Sequence, residues 1–172
     1  MSLGIVFKGP EGIVLAADSR VTLMAQIGSG PPMPSTFDNT TKLLKVNGQD
    51  YVGIVTYGLG AIGIRNPRTA HSYVPEFEAS LKKARLKVGE IARRLGEFFM
   101  KQWEEQQMPK PAEWLGQPEM VFLIGGYDEG EAYGRTYEVG IPGRPSPKEW
   151  HESDFGPVWG TTGICWKIDS RS

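Results

Sequence analysis

The stretch Ser2-Leu3-Gly4-Ile5-Val6-Phe7-Lys8-Gly9-Pro10-Glu11-Gly12-Ile13-Val14-Leu15-Ala16-Ala17-Asp18-Ser19-Arg20 decides how this chain is read. Gly4 to Lys8 and Gly12 to Ala17 are short runs rich in β-branched residues, and Gly9-Pro10-Glu11-Gly12 supplies turn chemistry between them. The pattern predicts a β-hairpin at the extreme amino terminus. Strand-forming residues begin directly after Ser2, so this terminus is expected to be tied into a sheet rather than to fray.

Outward from the hairpin, Tyr51 to Thr56 is a further β-branched run, and Lys42 to Val46 reads as a strand ending in a turn at Asn47-Gly48. Between them and the hairpin, Gln26 to Asn39 holds several glycines, prolines and serines without periodicity, which predicts a surface loop. From Phe77 to Gln107 the period changes. Leu81, Ala84, Val88, Ile91, Ala92, Leu95, Phe98, Phe99 and Trp103 recur at three- and four-residue steps, the mark of one long amphipathic helix or two abutting ones. Asn66-Pro67 and Pro75 limit any helix starting near Gly60 to a short or broken one. Met120 to Gly125 reads as an apolar strand and Glu131 to Val139 as a more polar one, with Asp128-Glu129-Gly130 as the hairpin turn. Ile141 to Ser172 is rich in proline and glycine and carries a brief Gly-Thr-Thr-Gly turn. Strands, then helix, then strands imply an α+β domain with helices covering a largely antiparallel sheet.

Composition narrows the class. The 172 residues fit one domain, 1–172, long enough to bury a core without staples. With 19 lysines and arginines against 20 aspartates and glutamates, no broad polyanion-binding surface is implied, so nucleic acid is not an expected partner. Cys165 is the single cysteine and the first residues lack a secretory pattern, which points to a reducing, cytoplasmic location. No apolar run reaches membrane-spanning length. His71 and His151 lack metal-ligand spacing, and Gly28-Ser29-Gly30 lacks the lysine-threonine ending of a phosphate-binding loop, so neither metal nor cofactor is expected.

Ser2 is the residue with chemical potential. Initiator methionine is usually removed before a small residue, and removal of Met1 would leave a hydroxyl and a free α-amine on Ser2. An α-amine titrates near pH 8, so an appreciable neutral fraction can take the hydroxyl proton, directly or through water, and no histidine is required. Taken singly, each candidate also has a structural reading: Ser2 as a terminal residue, Asp18 as a turn former, Lys42 as a solvated charge.

In order, however, these residues resemble a known family. Gly4 to Lys8 and Gly12 to Arg20 closely resemble the opening hairpin of proteasome β subunits and the bacterial HslV peptidase, without a gap. The resemblance places Ser2 on the family's N-terminal nucleophile, Asp18 on its catalytic aspartate and Arg20 on the arginine beside it. Thr41-Lys42-Leu43-Leu44-Lys45-Val46 is similar to the strand carrying the catalytic lysine, which falls on Lys42. Gly53-Ile54-Val55-Thr56-Tyr57-Gly58 resembles the strand and turn whose glycine N–H forms the oxyanion hole, which falls on Gly58. Thr22 resembles the residue that binds the substrate main chain, and Thr40 and Thr56 those lining the pocket for the side chain before the scissile bond. Val88 to Leu95 is similar to the family's second helix, and Phe122 to Asp128 to the strand after it. Trp159-Gly160-Thr161-Thr162-Gly163 resembles a later turn, putting Thr161 where a serine supports the terminal amine.

Beyond that turn the family continues through two helices and two strands, with an aspartate and a serine near the amine. Asp169 and Ser172 share the spacing of that pair, but without the intervening helices the match reads as coincidence. The resemblance thus implies an Ntn-hydrolase-like αββα sandwich of antiparallel sheets flanked by helices, incomplete at the C-terminus, either as a shortened relative or with its sheet completed by a neighbour. It implies a threonine-protease-type peptidase with a serine nucleophile, acting on peptide or unfolded protein. It further implies a homo-oligomer, with the need for an ATPase partner open. The alternatives are a small-molecule amidase or transpeptidase on the same fold, and a non-catalytic proteasome-like subunit serving assembly or binding.

Overall fold

The computed structural model describes residues 2–9, 11–25, 33–64, 66–81, 84–151, 158–161 and 164–167. The amino-terminal hairpin is present: β1 (Leu3–Gly9) pairs antiparallel with β2 (Gly12–Ala17), Val6 opposite Leu15. On its other side β1 pairs with β10 (Val158–Thr161), which pairs with β11 (Ile164–Lys167), so the amino-terminal strand is interior to a four-stranded sheet. A second antiparallel sheet has the order β5 (Leu43–Lys45), β6 (Val52–Gly58), β7 (Met120–Gly126), β8 (Arg135–Ile141), β9 (Arg144–Trp150). A separate ribbon joins β3 (Val21–Ala25) to β4 (Met33–Phe37).

β7 lies at the centre of the five-stranded sheet and is buried along its whole length, which is why its sequence is a continuous apolar run. Met120, Phe122 and Ile124 point to one face and join the larger core; Val121 and Leu123 point to the other and meet Val6, Leu15 and Ala17 of the four-stranded sheet. The two sheets approach closely where Gly53 and Gly125 pair across β6 and β7. A side chain on Gly53 would meet Leu15 Cδ1 at 2.4 Å, and one on Gly125 would meet Ile13 Cγ2 at 2.8 Å. These glycines are the sockets into which the hairpin's inward residues fit.

The other face of the five-stranded sheet is covered by a 3-10 turn (Ala70–Tyr73), α1 (Val74–Ser80) and α2 (Val88–Glu105). Val88, Ile91, Ala92, Leu95, Phe99 and Trp103 are buried, as the period predicts. Phe99 of α2 packs at a tilt on Phe122 of β7, 4.5 Å between centroids, and edge-on against Tyr73 of the 3-10 turn at 5.7 Å. Among the described residues, helices cover only this face, so the arrangement there is helix, sheet, sheet; the second outer helical layer of the expected sandwich is not among them. No described helix is long and apolar enough to cross a membrane.

Three local readings are corrected. The stretch expected as one long helix or two abutting ones holds two helices that do not abut: α1 ends at Ser80 and α2 starts at Val88, and before α2 Gln49 takes backbone groups a helix would need, its Oε1 accepting Leu86 N–H at 2.9 Å and its Nε2 donating to Ala84 O at 3.1 Å. The second helix then starts at Val88, whose N–H donates to the buried Asp128 at 2.7 Å, a cap supplied by a distant turn. Within Gln26 to Asn39, Met33–Phe37 is a strand rather than loop, held by main-chain pairing to β3. The strand expected over Glu131 to Val139 runs instead from Arg135 to Ile141, and β9 follows it in a stretch for which the sequence indicated no strand.

Gly96 on α2 faces β9 so closely that a Cβ would lie 2.0 Å from the Pro145 carbonyl oxygen. Alanine is the better helix former by about 1 kcal/mol. Gly96→Ala is nonetheless expected to destabilise the protein by about 1–3 kcal/mol, because the clash is with backbone. Urea unfolding of the variant and the parent measures the sign directly.

Candidate active site

Ser2 sits immediately before β1, and Asp18 immediately after β2; the hairpin closes them together, with Asp18 N–H donating to Leu3 O at 3.2 Å. Lys42 arrives from the other sheet, one residue before β5, fixed by the Thr56 N–H bond to its carbonyl at 3.0 Å. The three side chains converge. Lys42 Nζ donates to Ser2 Oγ at 2.7 Å, to Asp18 Oδ1 at 2.8 Å and to the Arg20 carbonyl oxygen. An ammonium has three N–H donors, and each has a protein acceptor here. Ser2 and Lys42 are buried, whereas the Asp18 side chain is partly exposed.

Asp18 organises the rest. Its Oδ1 accepts Leu3 N–H at 2.7 Å, and its Oδ2 accepts Arg20 N–H at 3.2 Å. Burial pushes its carboxyl upward, but the Leu3 N–H, the Lys42 ammonium and the Arg20 N–H together outweigh burial and hold it below the ordinary carboxylate range. The same carboxylate therefore orients the lysine and pins the backbone next to Ser2.

Gly58 ends β6 at φ +87°, a conformation that favours glycine, and a Cβ there would lie 2.1 Å from the Glu119 carbonyl oxygen. It lines one narrow cleft with Ser2, Thr40, Lys42 and Thr56. Of the remaining sequence candidates, Thr22 is exposed on β3 and does not line this cleft. The Arg20 guanidinium turns outward to Asp38 at 2.7 Å, so what Arg20 brings to the cluster is its main chain. Thr161 pairs with Leu3 across β10 and β1, which sets its backbone beside the start of the hairpin. Met1, Asp169 and Ser172 lie outside the described residues. His71 and His151 are exposed on separate segments.

Sequence reasoning did not find the Arg20 carbonyl, Thr69 or Ala70, the last two lining the cleft where the chain enters the 3-10 turn. A main-chain acceptor carries no residue signature. Thr69 and Ala70 are brought in by the chain's path after Pro67, which no local pattern specifies.

No family model and no curated protein matches this sequence. The fold itself defines a class: a mixed α/β arrangement of packed antiparallel sheets with few helices, its amino-terminal strand interior to one sheet. That fold is shared with Anbu from Hyphomicrobium sp. strain MC1, a proteasome-like relative of HslV, solved as a Gly-1 mutant. The two align with a TM-score of 0.54 at 15% identity over 92% of this chain, which spans 59% of the Anbu chain.

Because Asp18 is held below its ordinary value in the folded protein, its ionisation favours folding above the unfolded carboxyl pKa of about 4. That contribution is lost as pH falls through the lower folded value. Asp18→Asn should therefore lower the melting temperature at pH 7, with the gap from the parent closing below about pH 4. Thermal melts of both proteins across pH 2–8 (roughly the carboxylate to histidine range) measure it; a gap independent of pH would assign Asp18 a purely steric role.

Proposed function

We propose that this chain is an N-terminal-nucleophile hydrolase of the proteasome-like type, cleaving amide bonds of peptides through Ser2 after removal of Met1, on an Ntn-like sandwich fold. The observation that carries this reading is the buried contact of Lys42 Nζ with Ser2 Oγ at 2.7 Å, backed by Asp18 at 2.8 Å. A lysine solvated at the surface would make neither bond.

The roles follow from the donors and acceptors. The Lys42 ammonium donates to Ser2 Oγ, so it stabilises negative charge as that oxygen loses its proton. The base is the α-amine of Ser2 itself, which is an inert amide while Met1 remains attached. Attack of Oγ on the substrate carbonyl carbon forms a C–O bond and moves the carbonyl electrons onto oxygen, where the Gly58 N–H is the candidate donor. One such donor is worth about 3–4 kcal/mol in comparable sites. Collapse breaks the C–N bond, the α-ammonium returns its proton to the departing amine, and an ester on Ser2 remains. Water, deprotonated by the same amine, then attacks the ester carbonyl; the bond to Oγ breaks, the α-ammonium returns its proton to Ser2 Oγ, and the acid product leaves.

Two measurements test the reading together. Intact mass should show Met1 absent, and an electrophile that reacts with both the hydroxyl and the amine of one residue should label Ser2 once per chain. Label should vanish in Ser2→Ala and form at least about 100-fold more slowly in Lys42→Met. Retained Met1, or equal labelling of Ser2→Ala, would refute the assignment.

A further inference from the structure

Beside Ser2 the cleft is narrow, and Lys42, Tyr57 and Leu59 line it together with a set of small residues. Val21, Thr40, Thr56, Gly60, Thr69 and Ala70 surround it, and the space left holds little more than one water-sized group. Thr56 is buried, at 7% exposure, and its Oγ1 has no hydrogen-bond partner within the protein. A buried hydroxyl that the protein leaves unbonded is unfavourable unless a group in the space it lines bonds to it. The strand does not need it: the Thr56 main chain is already fixed through Lys42, and valine has the same shape and equal strand preference.

The side chains that leave this space are as telling as those that form it. Thr56 lies on the same face of β6 as Ile54, two residues earlier, which is packed in the helix-side core. Continuing that face with an apolar residue would extend the core to the cleft. A threonine there ends the core in a polar group instead. Thr40 and Thr69 add two further hydroxyl-bearing residues to the lining.

We infer that this cleft selects a substrate residue with a small, hydroxyl-bearing side chain, serine above all, at the position whose carbonyl Ser2 attacks, with Thr56 Oγ1 as the hydrogen-bonding partner. The inference rests on the reading of Ser2 as nucleophile, which sets which substrate residue enters the cleft. Shape excludes leucine, phenylalanine and the long charged side chains. The Thr56 hydroxyl separates serine from alanine, which would fit but leave that group unsatisfied.

The test measures binding and cleavage separately. Hexapeptides differing only in one central residue, serine, alanine or leucine, are titrated calorimetrically into the full chain carrying Ser2→Ala, and into the same chain carrying Thr56→Val or Thr56→Ser in addition. The serine peptide should bind about tenfold more tightly than the alanine peptide, and the leucine peptide least. Thr56→Val should abolish the serine preference and Thr56→Ser should keep it. A serine-to-alanine ratio unchanged by Thr56→Val, tighter binding of the leucine peptide, or no binding by any peptide overturns the inference. Cleavage of the same peptides by the parent protein then reports on Ser2 alone. The predicted binding pattern without cleavage would sink the hydrolase reading, and cleavage without the pattern would sink the specificity.

Discussion

The structure turns on one buried cation. Lys42 Nζ is almost fully enclosed and is held by acceptors from two sources, side chains of the amino-terminal hairpin and its neighbours and a main-chain carbonyl at Arg20. An ammonium taken out of water is costly unless its donors are satisfied and a counter-charge is near. Here Asp18 supplies the charge and three acceptors supply the bonds. Because Lys42 belongs to the five-stranded sheet and Ser2 and Asp18 to the four-stranded one, that demand also fixes how the sheet ends meet. Removing Asp18 would leave the lysine charge uncompensated, so the cluster's electrostatics and the docking of the sheets are one constraint.

Close docking of the sheets has its own sequence cost. Leu15 and Ile13 reach into space that only glycine leaves open at positions 53 and 125, and the two glycines are cross-strand partners. Glycine weakens a strand through entropy and lost packing. The loss is offset because Leu15 packs against Val55, Tyr57, Val121 and Leu123, the apolar layer between the sheets. The depth at which the hairpin sits decides whether Ser2 Oγ comes within bonding reach of Lys42 Nζ, so packing well away from Ser2 sets its geometry.

How much of this was legible depended on whether the controlling interaction is local. The hairpin, β6, β7 and the apolar stripe of α2 were legible because burial imposes a period of two or 3.6 on their own residues. The convergence of Ser2, Asp18, Lys42 and Gly58 was legible only through the order of motifs, since each residue alone has an ordinary structural reading. β4 was not: Met33, Pro34, Thr36 and Phe37 are exposed, so no burial pattern marks the strand. Nor was β9, whose Pro145 and Pro147 argue against a strand and are tolerated because it lies at the sheet's edge. The break before α2 was illegible for a different reason. Gln49 and Asp128, far away in sequence, supply the bonds that end one segment and cap the next.

The same distinction separates the cluster of Ser2, Asp18 and Lys42 from the cleft beside it. Ser2, Asp18 and Lys42 are held by one ion pair and the hydrogen bonds around it, which leave little freedom: each acceptor must lie where the ammonium can reach it. The cleft beside them is fixed by nothing comparable. Its walls come from β6, the approach to β5 and the 3-10 turn, and its small size reflects the side chains those segments happen to present. A change at Thr56 or Thr69 alters the size and polarity of the cleft without touching any bond to Lys42. The Lys42 cluster is therefore held by mutually satisfied bonds, whereas the cleft beside it is bounded by side chains that can vary independently of those bonds.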